Sequence, residues 1–86
     1  LFLFSVSGNS PNLIEAIKAA KKIGLKTVSF TGFNGGKLSK ISSYNINIPI
    51  ANFGIAEDCH ISIMHYLSQY LRNINLKNKS FKKIYF

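Results

Sequence analysis

A cluster of hydroxyl-bearing residues lies near the start of this 86-residue chain, in the stretch FSVSGNSPN at positions 4–12. The residues in it that could contact a ligand are Ser5, Ser7, Gly8, Asn9 and Ser10. Hydroxyls and backbone N–H groups at the beginning of a helix bind anions, because they donate hydrogen bonds at the positive end of the helix dipole. Glycine also lets the backbone approach a ligand closely. These residue types suit a phosphate group, and they suit an ordinary serine and asparagine turn equally well.

A nucleophilic serine is a weaker interpretation of the same stretch. The pattern is not G-x-S-x-G, and no acid or base follows in a recognisable triad order. Anion binding and a simple turn therefore remain the two interpretations that the residue types leave open.

A second set of candidates lies on a helix predicted towards the end of the chain, where Glu57 and His65 share a polar stripe with Ser68 and Arg72. Glu57 and His65 are roughly 12 Å apart along the helix axis, so they cannot form a direct hydrogen bond. They could both contact a metal ion or a substrate placed between them, and both residue types serve as general acids and bases. Spacing alone favours a solvated helix face with a surface ion pair.

The same helix carries an apolar stripe when its residues are placed at intervals of about 100°. The members of the stripe are Ala56, His60, Ile63, Met64, Leu67, Leu71 and Ile74. His60 lies in the middle of it. We therefore expect His60 to be a core histidine with a hydrogen-bond partner rather than a catalytic residue.

The elements that would position these residues alternate between strands and helices. Apolar spacing, glycine and proline predict strands at 1–5, 25–31 and 44–50, and helices at 11–23, 37–42 and from 55 to about 75. Ser10 is the expected N-cap, Pro11 the first helical residue and Gly24 the C-cap of the first helix. The fully apolar first strand is typical of burial on both faces of a sheet. This order predicts an α/β fold with a doubly wound parallel sheet, whose ligand lies beyond the carboxyl ends of the strands.

Composition limits the class of protein. An apolar content of 47% fits one small globular domain. No apolar run is long enough for a transmembrane helix, and no signal peptide is visible, so we expect no membrane association. Cys59 is the only cysteine, which fits a reducing compartment, and we expect a cytoplasmic protein. Three strands are fewer than the usual number of about five or six, so we expect this chain to be a piece of a longer protein.

The net charge of +8 would attract anionic partners. Lysines are concentrated at 18–26 and in the last ten residues. We interpret them as a solvated helix face and as a basic tail at 76–86 that follows a domain at 1–75. Nucleic-acid binding is the least favoured function, because only the final FKKIYF interleaves basic and aromatic residues. A positive potential that attracts a phosphorylated substrate is the milder interpretation.

Three motifs, in this order and spacing, resemble the sugar isomerase (SIS) domain and, within it, the phosphoheptose isomerase family. They are S-x-S-G-N-S at 5–10, T-G-x-x-G-G-K at 31–37 and the stretch NFGIAEDCHISIMH at 52–65, whose histidine lies on the last helix. The resemblance extends over residues 1 to about 75. Glucosamine-type isomerase domains carry Glu and Thr where this chain has Asn9 and Ser10, which favours the phosphoheptose branch.

The resemblance implies a three-layer αβα fold with a larger parallel sheet, of which this chain would supply the C-terminal half. It implies that the serine stretch binds the phosphate of a sugar phosphate and that His65 is the catalytic histidine. It further implies that Glu57 and His65 contribute to a zinc site, as in some members. Two positions depart from the family pattern, since Val6 replaces a threonine and Glu57 replaces a glutamine.

The activity implied is aldose–ketose isomerisation of sedoheptulose 7-phosphate to a manno-heptose 7-phosphate, a step towards bacterial lipopolysaccharide. A proton would move between C1 and C2 through an enediol, which needs an acid and a base. The family places further catalytic residues in the N-terminal half and assembles as homotetramers, so this chain alone is expected to be inactive. The alternative is a non-catalytic SIS module that binds a sugar phosphate or a protein partner such as the replication initiator, an interpretation motivated by Val6 and Glu57.

Overall fold

The computed structural model describes residues 1–76, so nearly all of the basic tail predicted at 76–86 lies outside the described residues. The elements are β1 (Phe2–Ser5), α1 (Pro11–Lys22), β2 (Val28–Gly32), α2 (Leu38–Ile41), β3 (Tyr44–Ile48) and α3 (Phe53–Leu76). The strands form one parallel sheet in the order β1-β2-β3. The predicted α/β class and parallel sheet are confirmed, and helices on both faces of the sheet give the αβα layering that the resemblance implies.

Local sequence explains where α1 begins and ends. Pro11 occupies the first turn, where its missing N–H is not needed. At the other end Gly24 has a φ of 75°, the left-handed conformation that glycine adopts without strain. Gly24 N–H donates to the Lys21 carbonyl and Leu25 N–H donates to the Ala20 carbonyl, the two bonds of a Schellman motif. The predicted stop at Gly24 is confirmed.

Helices cover both faces of the sheet, since successive side chains of a strand point to opposite faces. On one face, Leu3 forms a core cluster with Ile17 of α1 and Leu38 of α2. On the other face, α3 lies over the aromatic pair Phe4 and Phe30, whose rings stack with centroids 4.5 Å apart. The carboxyl ends of all strands lie at one edge of the sheet, and the serine stretch follows β1 there.

Polar side chains connect β2 to β3 on the face that α1 and α2 cover. Thr27, Ser29 and Thr31 are fully buried. The side-chain amide of Asn45 donates to Ser29 Oγ at 2.8 Å and to Thr31 Oγ1 at 3.0 Å. Within residues 1–76 no buried side-chain nitrogen or oxygen lacks a hydrogen-bond partner. The network therefore avoids the penalty of burying unpaired polar groups.

The predicted burial of β1 and several predicted ends of strands and helices need correction. Among the described residues β1 pairs only with β2, and Phe2 is 51% exposed, so the expectation of a first strand buried on both faces is wrong at that residue. β2 begins at Val28 instead of position 25: the N–H of Leu25 still donates to the Ala20 carbonyl at the end of α1, and the N–H of Thr27 donates to Ser43 Oγ. β3 ends at Ile48 before Pro49, and α3 begins at Phe53, where Asn52 Oδ1 accepts from the N–H of Ile55.

The apolar stripe predicted on α3 is only partly buried. Ala56 and His60 are buried against the sheet. Met64, Leu71 and Ile74 are 40–52% exposed, because the helix continues past the end of the three strands. The core prediction is therefore right for the first turns and wrong for these later residues. No helix within residues 1–76 has the length and apolar character that a membrane span requires.

Candidate functional site

Residues 5–10, here called the serine loop, are held together by hydrogen bonds of their serine hydroxyl groups. Ser5 Oγ and Ser10 Oγ are 3.1 Å apart, and the backbone N–H of Gly8 donates to Ser5 Oγ at 3.1 Å. The N–H of Asn9 donates to Ser7 Oγ at 3.2 Å. A hydroxyl that accepts from a backbone N–H keeps its own hydrogen for another partner. One hydroxyl of the Ser5–Ser10 pair donates to the other, so Ser7 and the remaining member of the pair have a hydrogen to donate to an anion.

Ser10 departs from its predicted role in one respect. It occupies the N-cap position of α1 with extended backbone angles, but its side chain makes no capping hydrogen bond. Its hydroxyl lies against Ser5 instead, and the Ser10 carbonyl accepts the first helical bonds from Leu13 and Ile14. The Ser10 side chain is thus directed into the serine loop rather than towards its own helix.

A second loop forms hydrogen bonds with the serine loop. This glycine loop, residues 32–37, contains all but the first residue of the T-G-x-x-G-G-K motif, which begins in β2. Lys37 N–H donates to Asn9 Oδ1 at 2.9 Å, and Leu38 N–H donates to the Gly8 carbonyl at 2.9 Å. The Asn9 side chain is therefore engaged in joining the two loops in this structure, and its predicted contact with phosphate stays a prediction.

A cavity of about 420 Å³ opens in front of the serine loop. Its polar lining residues are Ser5, Ser7, Ser10, Glu57 and His60. Phe4, Val6, Phe53, Ile61 and Met64 supply the apolar part of the wall. The serine loop and the first turns of α3 thus face each other across one space at the carboxyl ends of the strands. This is the position that the strand order predicts for a ligand.

His60 is buried, with 4% of its surface exposed. Its Nε2 lies 3.0 Å from the carbonyl oxygen of Thr31, which can only accept, so Nε2 carries the hydrogen. Its ring packs edge-on against Phe4 with centroids 5.8 Å apart. The expectation of a core histidine with a hydrogen-bond partner is confirmed. The position of His60 in the wall of the cavity was not predicted.

The structure places Glu57 and His65, the two predicted metal ligands, differently with respect to the cavity. Glu57 lines the cavity together with the serines. His65 lies two turns further along α3, is exposed, and is not among the residues that line the cavity. The backbone carbonyl of His65 accepts a hydrogen bond from Ser68 Oγ at 3.0 Å. The assignment of His65 as the catalytic histidine therefore stays a prediction.

Val6 brings an apolar side chain into the serine loop. Its carbonyl accepts from the N–H of Gly32 at 2.8 Å, which joins the serine loop to the end of β2. Val6 is one of the residues that line the cavity, and it carries no hydroxyl where the family pattern has one. The backbone function of the residue is independent of side-chain type, which explains why valine is accommodated.

The predicted zinc ligands do not form a site by themselves. Glu57 and His65 can supply two ligands, and zinc sites in proteins use three or four. Within residues 1–76 no three His, Cys, Asp or Glu side chains lie close enough to hold one metal ion together. A zinc site would require ligands from outside the described residues.

Sequence reasoning missed several residues that shape the site. Gly35 and Gly36 carried a signal in the T-G-x-x-G-G-K motif, but their contact with the serine loop was not deduced from it. Phe53 was predicted to lie in a loop, and its ring packs against Phe33 with centroids 5.0 Å apart. His60 was predicted to lie in the core because it belongs to the apolar stripe of α3. Helical spacing alone cannot show that His60 also borders a cavity.

The fold and the site define an α/β protein with a hydroxyl-rich loop at the carboxyl ends of a parallel sheet, next to a cavity. Comparison with curated proteins finds relatives named phosphoheptose isomerase. The chain is 44% identical to that of Vibrio parahaemolyticus over 72 residues, which are 80% of the chain and 37% of the relative. It is 34% identical to that of Mycobacterium tuberculosis over 73 residues, which are 85% of the chain and 37% of the relative.

A protein of Thermoplasma acidophilum named probable phosphoheptose isomerase is 41% identical over 63 residues, which are 73% of the chain and 35% of the relative. No family model matches the chain. The resemblance to phosphoheptose isomerase is confirmed by these matches, which are those expected of a fragment of that family. The chain spans little more than a third of the length of these relatives, at 35–37%.

Proposed function

We propose that the serine loop binds the phosphate of a sugar phosphate and that the full-length protein is an aldose–ketose isomerase acting on sedoheptulose 7-phosphate. The single observation that carries the proposal is the cavity that Ser5, Ser7 and Ser10 share with Glu57. It combines hydroxyl donors suited to a phosphate with a carboxylate suited to proton transfer. The names of the relatives support the same substrate class.

The serine loop would hold the phosphate without a lysine side chain. Neutral donors bind an anion well when they are fixed in place beforehand, because little reorganisation is then needed. Here Ser5 Oγ and Ser7 Oγ already accept from backbone N–H groups, and the glycine loop anchors Gly8 and Asn9. A phosphate fixed at this end would direct the rest of the sugar towards α3.

Isomerisation would then require a base that removes a proton at one carbon and an acid that delivers one to the next. Glu57 is an acid or base that this chain offers at the cavity. We assign His65 as the second proton carrier on the strength of its match to the family motif. Since His65 lies outside the cavity wall of residues 1–76, it would act in a site completed by another part of the protein or by a second subunit.

Other parts of the assignment belong to this proposal as well. They are a homotetrameric assembly, a cytoplasmic location, a place in lipopolysaccharide heptose biosynthesis, and zinc bound by Glu57 and His65 with further ligands from elsewhere. Zinc would supply a Lewis acid that polarises a substrate oxygen. None of the binding steps described for the serine loop depends on it.

The experiment compares phosphate binding and turnover in the full-length protein. Ser7→Ala removes one hydroxyl of the cavity, and we expect the affinity for sedoheptulose 7-phosphate to fall roughly 10-fold or more, as for one hydrogen bond to a charged group. Ser62→Ala, an exposed serine on α3, is the matched control and should leave affinity unchanged. Equal affinity of the two variants by titration calorimetry would contradict the proposal.

A second candidate function is a binding module without catalysis. The exposed position of His65, away from the cavity, favours it. Such a module would bind the sugar phosphate and fail to convert it. Incubation of the full-length protein with sedoheptulose 7-phosphate in deuterated water distinguishes the two, because an isomerase incorporates deuterium at the carbon it reprotonates and a binding module does not.

A further inference from the structure

His60 has one ring nitrogen whose partner the fold does not supply. Nε2 donates to the Thr31 carbonyl at 3.0 Å. Nδ1 has no hydrogen-bond partner among the residues that the structure describes, although no buried side-chain nitrogen or oxygen in that part of the chain is unpaired. Nδ1 is therefore not sealed in among the described residues, although His60 as a whole is only 4% exposed.

The open space next to His60 is the cavity in front of the serine loop, since His60 is one of its lining residues. The Thr31 carbonyl fixes the ring, because it accepts and so requires the hydrogen on Nε2. In the neutral ring Nδ1 then carries a lone pair and accepts a hydrogen bond. The contact with Phe4 limits rotation of the same ring.

The two sides of the cavity consequently differ in hydrogen-bonding character. The serine loop presents hydroxyls that can donate, as an anionic phosphate requires. The α3 side contributes Glu57 and His60, whose carboxylate and unpaired ring nitrogen are acceptors. A phosphate has no hydrogen to offer these acceptors when it is fully ionised, whereas a sugar hydroxyl has one.

We infer that His60 is a specificity-determining residue whose Nδ1 accepts a hydrogen bond from a hydroxyl of the sugar chain. The inference rests on the proposed function, since it requires the phosphate to occupy the serine loop. Nδ1 would let the cavity distinguish a polyhydroxylated phosphate from inorganic phosphate or an alkyl phosphate. A buried acceptor left without its hydroxyl weakens binding of the wrong ligand, which is how such sites discriminate.

The test uses the full-length protein and a pair of His60 variants. In His60→Gln the side-chain amide can still donate to the Thr31 carbonyl, while no acceptor remains at the position of Nδ1. We expect sedoheptulose 7-phosphate to bind roughly 10-fold more weakly, as for one lost hydrogen bond, and inorganic phosphate to bind as before. His60→Asn has the opposite effect: it places a polar atom near the position of Nδ1 and loses the hydrogen bond to the Thr31 carbonyl. It should discriminate sugar phosphate from phosphate better than His60→Gln does.

A measurement on the unmodified protein guards against variants that do not fold. Heptyl phosphate has the chain length of the sugar phosphate without its hydroxyls, and we expect it to bind at least roughly 10-fold more weakly than sedoheptulose 7-phosphate. Equal affinity for the two, or an unchanged ratio of sugar phosphate to phosphate binding in His60→Gln, would overturn the inference. If the serine loop does not bind phosphate at all, Ser7→Ala should leave the binding of both sedoheptulose 7-phosphate and inorganic phosphate unchanged, which is a different result.

Discussion

Gly8 packs directly against the backbone carbonyl of Gly35, and this contact joins the serine loop to the glycine loop. A Cβ on Gly8 would collide with that carbonyl, and a Cβ on Gly36 would collide with the carbonyl of Ser7. Both glycines also have positive φ values, 71° for Gly8 and 56° for Gly36. The two loops can therefore approach each other only because neither glycine has a side chain.

We expect Gly8→Ala to destabilise the protein and to abolish phosphate binding. The alanine would be strained at a φ of 71° and would push Gly35 away, and the strain alone costs roughly 1–2 kcal/mol. Gly24→Ala is a matched control, because Gly24 has a φ of 75° but no atom within 4 Å of the position of a Cβ. Urea unfolding of the full-length protein should show a clearly larger loss for Gly8→Ala, and equal losses would show that the contact with Gly35 is unimportant.

Asn45→Ala should lower the free energy of unfolding by about 2–3 kcal/mol, because it leaves buried hydroxyls of Ser29 and Thr31 without their shared donor. The Asn45 amide lies 2.8 Å from Ser29 Oγ and 3.0 Å from Thr31 Oγ1, and both residues are 0% exposed. Asn75→Ala, an exposed position on α3, should change the same quantity by less than roughly 0.5 kcal/mol. If urea unfolding gives the two variants equal stability, the polar network contributes nothing measurable.

The parts of the fold that were predicted correctly have short-range causes. The start of α1 follows from Pro11 and its end from Gly24, and each acts on its immediate neighbours. The parallel order of strands follows from the alternation of strand and helix along the chain. The serine loop was placed correctly for the same reason, since it directly follows β1.

The parts that were missed depend on contacts between residues distant in sequence. The role of Gly35 arises from its packing on Gly8, and that of Asn9 from its bond to Lys37, 28 positions away. The stripe on α3 repeats at helical spacing along its whole length, but periodicity does not say where the three-stranded sheet beneath it ends. Met64 and Leu71 are therefore exposed despite fitting the pattern.

Asn9→Asp separates the structural role of position 9 from its effect on an anion. A carboxylate oxygen can still accept the bond that Lys37 N–H donates to Asn9 Oδ1 at 2.9 Å, so stability should stay within roughly 0.5 kcal/mol. The added negative charge would repel a phosphate in the serine loop and weaken its binding by on the order of 1 kcal/mol or more. Calorimetric titration at low and high salt measures this, and the loss should shrink as salt screens the repulsion.

The control for Asn9→Asp is Asn73→Asp, an exposed position near the end of α3 and outside the serine loop. It changes the net charge of the protein by the same amount. Equal phosphate affinities for Asn9→Asp and Asn73→Asp would mean that no phosphate binds near the serine loop.

His65→Ala and His60→Ala should affect different properties of the full-length protein. The side chain of His65 is exposed, so His65→Ala should leave the free energy of unfolding within roughly 0.5 kcal/mol of the unmodified value. His60 is 4% exposed and bonds to the Thr31 carbonyl, so His60→Ala should cost about 2 kcal/mol or more. If His65 carries a proton in the reaction, its removal should slow isomerisation of sedoheptulose 7-phosphate by roughly 10²- to 10⁴-fold. Unfolding curves and turnover rates measured on the same samples check both expectations, and full activity in His65→Ala would exclude the assigned catalytic role.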